Sequence, residues 1–526
     1  MTSACRPWLL CALLPAGGAA AQSLDCSAPA PPVLASPNVL GNGQPGSVTP
    51  AQLQAALDAG GAVQLNIGAS TLTLSQQLVI SRATSLDGGG ATLNGQGMTR
   101  LIELRNPQLA TELTVNLLNL RLVHGNARTA AGNEFARSGG ALLNDHGAEP
   151  WRAMRLRLFN VELRDSLAIE TAQDGGGGGL YMVGLKELTL VGSTVASNQG
   201  SNGGGIYSLG SETVQLFDST VQGNVATGTG GNPGNGGNAG GIGVDGDTRT
   251  IRLCRVQLTD NTANAYGGGL FTVAYDQQSF TGIGESTIAG NNSAGTSNAH
   301  TGGVYLQGGP FLIRASTFSA NQASGNGGLA LFDHQTGNGL ITTSGDIINS
   351  TFTGNRARTS LGGAMGISAT GPLRLLNVTI ADNSAECSVC FAAGIQNAPG
   401  LNITLRNSIL HNNFGGNAFN PWNLRNPVNG SHNLQWPQIR PNSFGQMEAP
   451  VTPGATFAPA QLAALAANGG PTATLALLDG SPAIDTGTTT DAPATDQRGQ
   501  PRVAPIDLGA FERQPPVLSL FANGFE

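Results

Sequence analysis

The sequence predicts an all-β fold, a single-stranded right-handed parallel β-helix solenoid with a short N-terminal capping helix, and three observations predict it. A phrase of the form apolar-x-[N/D]-S-T-[V/I/F]-x-x-N-x-A recurs along most of the chain. Nearly every copy is followed by a Gly-Gly phrase. Glycine makes up 77 of 526 residues and charged residues only 11%, the composition of a chain that turns often and packs thin layers. Apolar residues still reach 40%, so this is not a disordered polar polymer.

The first residues have the pattern of an export signal. Arg6 supplies a positive start, Pro7 to Pro15 a short apolar stretch, and Ala19-Ala20-Ala21 small residues for cleavage near Ala21. Asp25 directly before Cys26 does not suit a lipoprotein signal, so free secretion is favoured. Residues 22–48 are proline-rich and read as a linker or extended lead-in. Thr49 then suits a helix N-cap and Pro50 the first helical position. Leu53, Ala56 and Leu57 share one face, and Gly60-Gly61 stops the helix. From Ala62 the period changes to two: Val63-Leu65-Ile67, Leu72-Leu74 and Leu78-Ile80 read as short strands. No helix-period segment of convincing length returns until Leu462.

Clear copies of the phrase include Leu216 to Val221 closing at Asn224, Ile283 to Ile288 closing at Asn291, Ile313 to Phe318 closing at Asn321, and Ile348 to Phe352 closing at Asn355. Looser copies end at Asn126, Asp165, Asn198, Asn261, Asn383 and Asn412. The markers lie about 32 residues apart on average, with gaps from about 26 to about 39. Such variable, β-branched, glycine-rich units each supply about three short strands and close one coil. Val221, Ile288, Phe318, Phe352 and Ile380 are the predicted inward positions, stacked into columns. The corner asparagines are predicted to form a ladder of side-chain amides, and the Gly-Gly phrases to let the chain bend between sheets. A propeller or sandwich is disfavoured: with five Tyr and four Trp, the aromatic markers of propeller blades are missing. The organisation read from these signals is a signal peptide over 1–21, a lead-in over 22–48, the β-helix over 49–428, a distinct C-terminal region over 429–514 and a tail over 515–526.

These phrases resemble those of bacterial right-handed parallel β-helix proteins of the pectin-lyase-like superfamily, especially polymorphic-outer-membrane-type repeats, over about Gln52 to Asn413. The tail carries Asn468-Gly469-Gly470-Pro471-Thr472, Gly480-Ser481-Pro482-Ala483-Ile484-Asp485, Asp496-Gln497-Arg498-Gly499 and Asp507-Leu508-Gly509-Ala510-Phe511-Glu512. In this order they are similar to the choice-of-anchor type Q domain. That resemblance implies presentation on, or release from, the cell surface and implies no catalysis. The last seven residues, Leu520 to Glu526, resemble a short terminal tag of exported gammaproteobacterial proteins.

The same superfamily contains polysaccharide lyases and hydrolases, so the residues their chemistry needs are the ones to seek. Hydrolases of the fold carry N-T-D, D-D, G-H-G and R-I-K phrases, none of which occurs here. Asp245-Gly246-Asp247 is the closest carboxylate pair and reads as a solvated turn rather than the two-carboxylate set of a glycosidase. Lys186, the only lysine, and Glu187 read as a solvated strand edge. Arg356 and Arg358 on one corner, with Asp333-His334 one insertion earlier, offer an acid/base set that nothing in the spacing demands. Gly240 to Asp245 matches one calcium-binding nonapeptide, but the site needs tandem copies. The loop Thr227 to Gly240 reads as flexible and polar. His124, His146, His300, His334, His411 and His432 show no metal-binding spacing. Cys387 and Cys390 form a C-x-x-C pair, read as a local structural disulfide ahead of free thiols and of redox or metal chemistry; the pairing of Cys26 and Cys254 is left open.

With a net charge of −7 and no basic stripe, nucleic acid is not an expected partner. No run of about 18 apolar residues follows the signal, so no membrane-spanning helix is expected. The expectation is therefore a monomeric, secreted or cell-surface scaffold with no catalytic residues, metal or cofactor assigned. Its expected partners are extracellular polysaccharide or cell-surface components. A secreted polysaccharide lyase or glycoside hydrolase is the alternative.

Overall fold

The computed structural model describes residues 24–107, 111–144, 152–231, 233–295, 300–417, 419–441 and 445–515. The expected signal sequence, His146 and the tag-like last seven residues lie outside the described residues. The chain is a right-handed parallel β-helix. One coil shows the plan. Thr343–Ile348 lies in the first half of a long sheet, and Thr351–Thr353 in its second half. Arg356–Ala357 follows in a short sheet and Met365–Ile367 in a middle sheet. The chain then returns one strand spacing further on, ~4.8 Å, at Leu373–Leu376. The long, middle and short sheets count 26, 11 and 8 strands among the described residues. Apart from a small antiparallel pair between His334–Thr336 and Gly339–Ile341, the named strands pair in parallel.

Three stacks hold the coils in register. The inward column Val195, Val221, Leu258, Ile288, Phe318, Phe352, Ile380 and Leu410 pairs coil to coil. Every member is fully buried. The Phe318 and Phe352 rings stack with centroids 4.5 Å apart. The serine of the repeat phrase forms the second stack: Ser286 Oγ donates back to the Gly284 carbonyl at 2.8 Å and accepts from Val256 N–H at 3.0 Å. Ser316 Oγ and Ser350 Oγ repeat the acceptor role one and two coils on.

The asparagine ladder is the third stack. Asn198, Asn224, Asn261, Asn291, Asn321, Asn355, Asn383 and Asn413 each pass a side-chain N–H to the next amide oxygen at 2.9–3.0 Å, ending on Asn423. Three loose markers are one residue out of register. The ladder position after Asn383 is Asn413, not Asn412, and Ser166 and Gly125 stand where Asp165 and Asn126 were read. Asp165 and Asn412 instead take the left-handed corner conformation just before it, φ +54° and +52°.

The first glycines of several Gly-Gly phrases bend the chain as expected, with Gly139, Gly203 and Gly267 at φ +63°, +53° and +66°, but the following glycines have another role. Gly268 has no positive φ. Its Cβ would lie 2.3 Å from the Gly302 carbonyl of the next coil. The glycines are there largely because successive coils approach too closely for a side chain, as well as for bending.

Both solenoid ends are covered. Helix α1, Pro50–Ala59, has Thr49 as N-cap with Gln52 completing a capping box. It buries Leu53, Ala56 and Leu57 on the first coil. Gln54 presents its amide to the outer edge of Leu78–Ile80, accepting from Val79 N–H and donating to Val79 C=O, both at 2.9 Å. The side chain thus imitates a neighbouring strand where none exists. Beyond residue 428, strands Asn429–Ser431, Leu434–Trp436 and Thr456–Phe457 continue the parallel pairing. The segment from Leu462 does not form a helix; Leu462 bridges Leu477 and Ala466 bridges Thr474 in antiparallel fashion. Its apolar residues are drawn onto the solenoid, where Leu477, Ala483 and Leu508 pack on Ile409 and Leu434.

Two straps lie on the outer face of the long sheet. At the N-terminal lead-in, Leu24 packs with Phe217, Cys254 and Leu312, and Cys26 is disulfide-bonded to Cys254. The lead-in reaches the first coil as Asn38–Leu40, paired to Gly61–Leu65. The C-terminal strap runs over the repeat threonines: Thr317 Oγ donates to Ala473 O, Thr351 Oγ to Gln497 Oε1, and Thr379 Oγ accepts from Ala510 N–H. Corner residues Asn349 and Asn407 donate to Thr495 O and Thr488 O.

Candidate functional site

Alternation in the strands decides which side chains meet outside the core. On the first half of the long sheet, Arg155, Arg157 and Glu187 point outward from adjacent coils. The Glu187 carboxylate accepts from Arg155 at 2.6 Å, from Arg157 at 2.7 and 2.8 Å and from Thr189 Oγ at 2.7 Å. Lys186 Nζ pairs with Glu112 at 2.7 Å. Glu187 is therefore not a solvated edge residue, whereas Lys186 keeps an exposed ammonium. Glu187–Val191 is an interior strand, paired to Arg155–Phe159 on one side and Thr213–Phe217 on the other. Burial works against the Glu187 charge, but the two guanidiniums and Thr189 outweigh it and hold the carboxyl at about 2. Such a group stays an anion and moves no proton near neutral pH.

The remaining candidates disperse. Arg356 pairs with Glu386, and Arg358 donates to Asn292 and Ser293. Asp333, at the end of the middle sheet, accepts from Thr343 N–H at 2.7 Å, Thr370 N–H at 3.0 Å and Thr370 Oγ at 2.6 Å. These two sets sit on different sheets with different partners. The described histidines disperse too: His300 meets Tyr266 edge-on at 5.3 Å, His411 Nδ1 accepts from Ala460 N–H, and His124 lies beside Asn94. Among the described residues, no group of three or more His, Cys, Asp or Glu is arranged to hold a metal. The loop from Thr227 folds on itself through bridges Thr229–Asn235 and Gly231–Gly236.

The Asp245-Gly246-Asp247 pair splits. Asp247 pairs with Arg152. Asp245 is not a solvated turn residue: it is 6% exposed, and its carboxyl is raised above the ordinary range by burial. Gly246 N–H donates to it at 2.7 Å, and Tyr275 lies beside it at the same end of the middle sheet. The Tyr275 hydroxyl is raised in turn, by burial first and then by Asp245. The Tyr275 ring, 47% exposed, meets His334 edge-on at 4.9 Å, and His334 Nδ1 lies 2.7 Å from the Ala274 carbonyl. This Asp245–Tyr275–His334 cluster escaped the sequence reading. Its members sit 30 or more residues apart, Asp245 closing one middle-sheet strand, Tyr275 following another and His334 opening the small antiparallel pair, and share no motif. Beside it, Tyr266, Phe271, Tyr305 and Phe332 form a ring ladder with centroid spacings of 5.1–6.3 Å.

The cysteines pair as Cys26–Cys254 and Cys387–Cys390. No helix among the described residues is long and apolar enough to cross a membrane.

No family model and no curated protein matches the chain. Among solved structures it is similar to pectate lyase Pel9A, at 12% identity over 90% of this chain and 94% of that one, TM-score 0.40. It is also similar to PfbA, a surface adhesin of Streptococcus pneumoniae, at 12% identity over 80% and 98%, TM-score 0.35. A third similarity is to the A-module of the mannuronan C-5 epimerase AlgE4 of Azotobacter vinelandii, at 16% identity over 80% and 98%, TM-score 0.30.

Proposed function

We propose that the chain is an exported β-helical scaffold that binds extracellular polysaccharide or cell-surface components and carries no catalytic centre. The observation that carries this reading is the local neutralisation of charge: Glu187 lies between Arg155 and Arg157, and Asp333 is occupied by three donors. A glycan-processing groove needs a carboxylate or base left able to exchange a proton with substrate. The export pattern ending near Ala21 and the choice-of-anchor resemblance of residues 429–514 support release from, or display on, the cell surface. The mature chain is read as a monomer. A glycan array and a cell-binding assay on the mature chain test the reading; no retention on any glycan or cell surface overturns it.

One observation favours a second reading, a polysaccharide lyase or hydrolase. Asp245 is a buried carboxyl with a raised pKa beside a half-exposed tyrosine, the kind of environment that tunes a catalytic acid. Incubation with pectate, alginate and glycosaminoglycans decides between them. Turnover abolished by Tyr275→Phe and Asp245→Asn replaces the scaffold reading.

A further inference from the structure

The two disulfides differ in what they hold. Cys26–Cys254 joins positions 228 apart and fixes a strap to the solenoid, whereas Cys387–Cys390 spans a separation of 3. Closing so short a turn removes little freedom from the unfolded chain. The turn is also closed without the bridge. Cys390 N–H donates to the Cys387 carbonyl at 3.1 Å. From the next coil, Asn420 Nδ2 donates to the Cys390 carbonyl at 2.9 Å and Gly416 N–H to the Ala385 carbonyl at 2.8 Å. The covalent bond is therefore redundant to the local fold.

Its surroundings suit exchange. Cys387 is partly exposed, while Cys390 is fully buried against Ala357, Ala385 and Ala393. Between the cysteines Val389 is 69% exposed, and the adjoining coil presents Phe414 at 43% and Phe419 at 74%. Exposed disulfides are the labile ones, and exposed apolar side chains around one offer a partner protein dry contact.

We propose that Cys387–Cys390 is a thiol–disulfide exchange site whose co-reactant is a dithiol on another protein. The partner's thiolate attacks Cys387 Sγ. The S–S bond breaks and its electron pair leaves on Cys390 Sγ, which already accepts the Cys387 N–H at 3.2 Å. The partner's second thiol then attacks the mixed disulfide and releases Cys387. The partner is oxidised to its own disulfide, the Cys387–Cys390 pair is reduced to two thiols, and the partner's two protons pass to it.

The test uses the full mature chain in graded glutathione redox buffers, with free thiols read by alkylation and mass. The expected result is that Cys387–Cys390 opens at an equilibrium constant about tenfold or more in favour of reduction relative to Cys26–Cys254, with the thermal midpoint unchanged. Cys390→Ser, which leaves Cys387, is expected to form a mixed disulfide with oxidised glutathione about tenfold faster than Cys387→Ser, whose remaining thiol is buried. The proposal fails if the short bridge resists until the long one opens, if its reduction unfolds the chain, or if the two variants react alike. The titration needs no substitution, so a variant that does not fold leaves the proposal testable.

Discussion

Asn291 makes four hydrogen bonds out of reach of solvent. Its oxygen accepts from Asn261 N–H and Nδ2 at 3.1 and 3.0 Å, and its Nδ2 donates to Leu258 O at 2.8 Å and Asn321 Oδ1 at 3.0 Å. Replacing it by Ala strands buried donors and acceptors on the two neighbouring coils at about 1–3 kcal/mol each. Asn291→Ala is expected to lower the urea midpoint clearly, while a surface control such as Gln257→Ala leaves it unchanged. Glu187 gives a prediction in pH. Its folded value, about 2, lies below the ordinary 4.5, so the unfolded chain binds the proton first as pH falls. Its contribution, ~3 kcal/mol, is present above pH 4.5 and lost toward pH 2. Glu187→Gln should destabilise the chain at pH 7 and flatten the fall in stability across that window. An unchanged acid profile would mean that the two arginines do not fix this charge.

Gln54 shows how an element is terminated by one side chain. Gln54→Ala leaves the Val79 N–H and C=O open at the edge of the middle sheet. An unpaired edge templates association. The variant is expected to lose about 1–2 kcal/mol and to self-associate on size-exclusion chromatography, with Gln54→Glu restoring only the contact to Val79 N–H. The C-terminal strap is the other decisive element. It shields Ile409 and Leu434 and takes the hydroxyls of Thr317, Thr351 and Thr379. Truncation after Phe457 should leave the far-ultraviolet β signal largely intact, because each coil rests mainly on its neighbours. It should raise binding of a hydrophobic dye. Loss of the β signal instead would show that the strap is needed for the solenoid to form.

Across the whole molecule, the long disulfide ties the N-terminal segment to a coil far along the stack. In the chain-entropy account such a bridge contributes about 4.7 kcal/mol even for a 100-residue loop. Cys26→Ser with Cys254→Ser is therefore expected to lower the thermal midpoint by several degrees, far more than the Cys387/Cys390 pair of substitutions.

Local patterns along the chain specify the repeating coil, its inward residues, the asparagine ladder and the capping helix. All of these follow from local periodicity and from one residue being stacked on its equivalent. Register at degenerate copies was not legible: Asp165 and Asn412 carry the right residue types one position early, and only hydrogen bonds to adjacent coils separate corner from ladder. Nor were the left-handed corners at Arg255, Glu285 and Ala315, φ +54°, +53° and +48°. These residues have no preference for that conformation, and stacked neighbours impose it. Tertiary structure alone decided that Glu187 is interior, that the Leu462 segment becomes part of a strap, and that Asp245, Tyr275 and His334 meet. Contacts made across coils depend on how many residues each intervening loop inserts, and that count is not written in the residues that touch.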